Sequence, residues 1–145
     1  MTWVHDGIYA GGGDHIPVAW GSFADQTGIQ AVVHLRRGAP AEFGGPPPAA
    51  FLWLNLDGEE EAGVEERWLA GNFVAEQLAA GRKVLLHSSR ARHRTRWVYV
   101  AYQVCVGRQL RAALRQAAQR PWLSPYYTDR AVWEDFSRAV ASRRG

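Results

Sequence analysis

The chain reads as an α/β protein, a sandwich whose mostly parallel central sheet is flanked by helices. Short apolar or β-branched runs near residues 7–10, 30–35, 51–56 and 83–87 are each bounded by glycine, proline or charge. They alternate with longer stretches of helical period. The run at 83–87 passes through a few polar residues into a segment that is apolar nearly all round, which places a loop at the carboxyl end of a strand, where such sheets bind ligands. A length of 145 residues fits one domain, 1–145, and 47% hydrophobic content with seven tryptophans can fill an ordinary core.

The elements follow in order. The run near 7–10 is followed by Gly11 and Gly12, and the next apolar run lies near 30–35. The stretch 38–50, with Gly44-Gly45-Pro46-Pro47-Pro48, cannot enter a helix or sheet interior. It is expected to be a mobile connection, with a pocket rim as the alternative. After the strand at 51–56, Glu59, Glu60, Glu61, Glu65 and Glu66 read as a solvated loop followed by the acidic first turn of a helix beginning near Val64. That helix, 64–80, repeats Trp68, Leu69, Phe73, Val74 and Leu78 at helical spacing and stops at Gly81. Residues 95–106 carry Trp97, Val98, Val100, Ala101, Val104 and Cys105, the pattern of a central buried helix. Helices near 108–119 and 125–142 follow, the second with Val132, Phe136 and Val140 at intervals of four.

Composition removes several function classes. A formal charge of +3 is too mild to argue for nucleic acid by itself. Arg90, Arg92, Arg94 and Arg96 alternate beside Trp97 and Tyr99, but those aromatics fall in the apolar helix, so a nucleic-acid module is the lowest-ranked alternative. The longest apolar run, 97–106, is interrupted by Gln103 and falls far short of the ~20 residues that span a bilayer; no membrane association is expected. Nothing near Met1 has the pattern of a signal peptide, so the expected location is cytoplasmic. Cys105 is the only cysteine, which excludes an intrachain disulfide and a cysteine metal cluster and reads as a small buried hydrophobe. No metal or cofactor is implied, and oligomeric state is not encoded in these patterns.

The chemistry lies between Lys83 and Thr95. A buried strand, a short loop and a helix N-terminus converge backbone N–H groups on one point, where the helix dipole favours negative charge. Arg94, at the junction of loop and helix, could close on two oxygens of a phosphate as a bidentate fork.

These residues resemble the signature of the cysteine-dependent phosphatases, His-Cys-five residues-Arg-Thr/Ser, with His87, Ser88, Arg94 and Thr95 in its register. Ile8-Tyr9-Ala10-Gly11-Gly12, the segment from Gly28 to Leu35, Phe51 to Asp57, and the turn Arg120-Pro121-Trp122-Leu123-Ser124-Pro125 extend the resemblance toward small dual-specificity phosphatases. The resemblance implies a phosphate cradle from Ser88, Ser89, Arg90, Ala91, Arg92, His93 and Arg94, with His87 in support. It further implies a general acid at Asp57 and an assisting hydroxyl at Thr95. Two positions depart from the family pattern: Ser88 stands at the nucleophilic cysteine, and Ala91 stands at a glycine.

A serine hydroxyl stays protonated in a pocket that would ionise a thiol, and it needs an adjacent base. His87, preceding it on a strand, is expected to face the other way, and His93 sits among arginines. The expectation is therefore a phosphatase-fold protein that binds a phosphate ester, phosphoprotein or similar oxyanion without cleaving it. The alternative is a phosphomonoester hydrolase in which serine was substituted for cysteine to trap substrate. The concurrent loss of glycine at Ala91, which costs about 1 kcal/mol if that position needs positive φ, favours the first reading.

Overall fold

The structure, a computed structural model, describes residues 1–89, 92–119 and 129–144. Its sheet has five strands: β1 (Thr2–His5), β2 (Ile8–Gly12), β3 (Ile29–Leu35), β4 (Ala50–Leu54) and β5 (Lys83–Ser88), in the order β1-β2-β5-β3-β4. All neighbours are parallel except the β1–β2 hairpin at one edge. The α/β sandwich predicted from the sequence is thus the observed architecture, and β1 is an addition to it. Only Trp3 and Val4 carry its apolar signal, but the Asp6-Gly7 turn, with Gly7 at φ 82°, folds it back on β2.

Two helical layers cover the sheet. On one face lie α1 (His15–Val18) and α2 (Trp20–Thr27), which ends at Gly28 in the left-handed region. Ile16 and Trp20 pack there on Val32 and Leu85. On the other face lie α3 (Val64–Ala79), α4 (Arg96–Cys105), α5 (Leu110–Ala118) and α6 (Arg130–Arg144), over Ala31, Val33, Leu35, Val84 and Leu86. Strand alternation sorts the side chains: Ala31, Val33 and Leu35 of β3 and Val84 and Leu86 of β5 face the larger layer, while Ile29, beyond a register shift before Ala31, packs with Val32 and Leu85 on the other face.

Helix α4 is central as expected, with Trp97, Val98, Tyr99, Val100 and Ala101 all buried and Cys105 buried at its end. Other expectations shift. In α3, Leu69 is exposed while Arg67, Ala70, Gly71 and Val74 face inward. In α6 the buried stripe is Trp133, Phe136 and Val140, since Val132 turns partly outward. The connection after β3 is tied down rather than loose: Gly21 N donates to Gly44 O at 2.9 Å, Gly44 N donates to Pro17 O at 2.7 Å, and Phe43 meets the Trp20 ring edge-on. The predicted turn from Arg120 to Pro125 lies outside the described residues, as do Arg90 and Ala91.

Candidate oxyanion site at the end of the sheet

β5 is the middle strand, and its last residue, Ser88, is fully buried. Both flanks of this strand end are fastened. Gly13 N donates to Ser88 O at 3.1 Å, and Ser89 N donates to Leu35 O at 3.3 Å. The second bond corrects the expectation for Ser89: its N–H extends the ladder to β3 and does not point into a cradle. The chain then enters a 3-10 turn at Arg92–Thr95 and continues as α4, so the first-turn amides belong to that tighter turn rather than to an α-helix starting at Thr95. Thr95 is buried at the junction.

Arg94 lies against the loop that follows β4. Its Nη1 is 3.8 Å from Glu60 Oε1, and a Cβ on Gly58 would stand 3.3 Å from the same nitrogen. Gly58 is extended, so close approach rather than backbone strain accounts for a residue without a side chain there. With both partners partly exposed, the Arg94–Glu60 pair is worth no more than about 1 kcal/mol. Asp57, on the same loop, has its Oδ2 3.7 Å from Arg37 Nε, and Arg37 also pairs with Glu61. The structure thus brings the Asp57 loop and Arg94 together through Gly58 and Glu60.

Glu59 overturns the reading of that loop as wholly solvated. It is buried, and its Oε2 accepts from Trp133 Nε1 at 3.1 Å and lies 3.4 Å from Arg67 Nη2. The Arg67 guanidinium, also buried, sits 4.4 Å from the Trp133 ring centroid and bonds to the Ala62 carbonyl. Burial lowers its pKa and the Glu59 carboxylate opposes that shift. The glutamate thereby ties the Asp57 loop to α3 and α6.

His87 projects from β5 toward the α1–α2 layer, away from the Arg94 side, beside the side chain of Ile16 at Gly11. There it meets His34, its register partner on β3. The rings stack with centroids 4.9 Å apart and their Nδ1 atoms 2.9 Å apart, so one ring donates and the other accepts. Burial is the largest cause lowering the pKa of each to about 4. Both are therefore neutral at pH 7. His87 is engaged in this pair and gives Ser88 no base.

Among the described residues no His, Cys, Asp or Glu side chains gather in a group able to hold a metal. No helix among them is long and apolar enough to cross a membrane. His34, Arg37 and Arg67 went unnoticed in the sequence, where Glu59 read as solvated. For His34 the legible signal was a polar residue between Val33 and Leu35 in the apolar run of β3.

Solved structures place this architecture. Human DUSP28 superposes with a TM-score of 0.73 at 19% identity, covering 99% of each chain. A mouse putative dual specificity phosphatase complexed with zinc tungstate gives 0.73 at 19%, covering 98% of this chain and 89% of its own. The fold is that of the small dual-specificity phosphatases. The human tyrosine phosphatase-like serine/threonine/tyrosine-interacting protein shares it at a TM-score of 0.66 and 18% identity, covering 100% of this chain and 98% of its own. No family model and no curated protein sequence matches the chain. In this phosphatase fold, β5, the loop after Ser88 and α4 form the strand-loop-helix segment on which the sequence signature falls.

Proposed function

We propose that the chain binds a phosphate ester or phosphoprotein at the loop 88–94 and does not hydrolyse it. The observation that carries this reading is Ser88, buried at the end of the middle strand, immediately before the turn into α4. Amides of the 3-10 turn and the Arg94 guanidinium supply the anion's partners, and Thr95 supports the turn. The tungstate complex of the mouse relative supports the ligand class, because tungstate is a tetrahedral oxyanion. Chemistry stops at Ser88: its hydroxyl remains protonated, and the nearest imidazole on its own strand is held by His34.

Calorimetric titration with inorganic phosphate or tungstate tests binding. Saturable binding at millimolar concentration or tighter is expected, and Arg94→Ala should remove it. No binding by the intact protein at millimolar anion overturns the reading.

A second reading is favoured by the placement of Asp57, whose loop touches Arg94 through Gly58. It is that of a phosphomonoester hydrolase whose catalytic cysteine has been replaced by Ser88. Ser88→Cys, assayed on an aryl phosphate, decides it. Turnover lost again in Asp57→Asn supports this second reading, and inertness of Ser88→Cys removes it.

A further inference from the structure

Three consecutive glutamates, Glu59, Glu60 and Glu61, form the 3-10 turn that follows Gly58. Such a turn closes every three residues, so neighbouring side chains leave its axis about 120° apart. The three carboxylates accordingly go three ways, and a different arginine meets each. Glu59 turns inward to Arg67, Glu61 reaches Arg37, and Glu60 reaches Arg94.

The buried member fixes the rotation of the turn. Glu59 accepts from the Trp133 indole at 3.1 Å and pairs with Arg67, so the direction in which Glu60 leaves the turn is set from the core. Gly58 makes the room. A Cβ there would stand 3.0 Å from Glu60 Oε2 and 3.3 Å from both Glu60 Oε1 and Arg94 Nη1. The carboxylate and the guanidinium therefore share the space that a side chain at 58 would fill. Their ion pair is 3.8 Å long and its partners are 37% and 49% exposed, which leaves it open to separation when another anion arrives.

Arg94 is also the side chain on which the proposed phosphate site depends. An anion that needs this guanidinium must displace the carboxylate tethered beside it. We infer that Glu60 is an internal competitor of the phosphorylated ligand for Arg94, aimed by the buried Glu59, and that it sets the affinity of the site. The inference rests on the proposed phosphate site and deepens it. A part-exposed pair of this kind holds its guanidinium by a factor of up to about five, and the apparent affinity for a ligand falls by that same factor.

Calorimetric titration of the intact chain with inorganic phosphate tests the competition. Glu60→Gln should bind phosphate about two- to fivefold more tightly than the wild type. Glu61→Gln removes an equal charge from the same turn, but from beside Arg37, and should change the affinity by less than about 1.5-fold because through-space action at the surface is screened. Both glutamates lie at the surface end of the turn, so neither replacement threatens the fold. Equal affinities for the wild type and Glu60→Gln, or an equal gain in Glu61→Gln, overturn the competitor while leaving the phosphate site standing. Phosphate bound by none of the three proteins overturns both.

Discussion

The two faces of the sheet bury polar side chains in opposite ways. On the α3–α6 face, Arg67 and Glu59 are buried as an ion pair, and the rings of Trp133 and Trp97 flank the guanidinium. On the α1–α2 face, His34 and His87 remain uncharged and share one hydrogen bond. A strong cation cannot give up its proton at neutral pH, so its burial demands an anion; an imidazole can, so its burial demands only a neighbour. One face therefore depends on an intact ion pair and the other on pH.

Breaking the ion pair should have the largest effect. Glu59→Gln leaves a buried guanidinium without its counter-charge and is expected to cost about 3–5 kcal/mol in urea denaturation. A loss under about 1 kcal/mol would mean that the Ala62 carbonyl and the tryptophan rings suffice.

The histidine face should respond to acid instead. Each folded pKa, about 4, lies below the unfolded value near 6.5, so the unfolded chain binds more protons in between. Stability is then complete above pH 6.5 and declines as pH falls toward 4, by up to a few kcal/mol. His34→Phe should flatten that part of a stability-against-pH curve; an unchanged slope would assign the acid sensitivity elsewhere.

Two glycines compare the packing of the faces. A Cβ at Gly71 would stand 2.7 Å from Cys105 Sγ and 2.8 Å from Ala101 O, whereas one at Gly11 would meet the tip of Ile16 at 2.7 Å. Backbone cannot retreat as a side-chain tip can. Gly71→Ala should cost about 1–3 kcal/mol despite alanine's helix preference, and Gly11→Ala less. Equal thermal shifts would contradict the contrast. Smallest of all, Arg37→Ala removes a largely exposed guanidinium from beside Asp57 and Glu61 and should change stability by less than about 1 kcal/mol.

What could be read beforehand follows from the range of the forces involved. Strand β5 and helix α4 were legible because Val84, Leu85 and Leu86, and then Trp97 to Ala101, declare their burial within a few residues. Helix α1 was not: four residues containing Pro17 carry no periodicity. Glu59 looked solvated because its neighbours Glu60 and Glu61 are polar, and nothing local announces that Trp133 of α6 will close over it. The register of Ser88, Arg94 and Thr95 could be marked from sequence, but the diversion of the Ser89 amide to Leu35 needed the neighbouring strand. His34 and His87 are far apart in the chain and meet only through sheet order.

The bond between those two rings also makes the protein its own reporter. A proton held between imidazole nitrogens 2.9 Å apart, on side chains with 0% and 1% exposure, is shielded from exchange with water. It should give a sharp low-field line in a proton spectrum, clear of the amide envelope and lost on replacing either histidine.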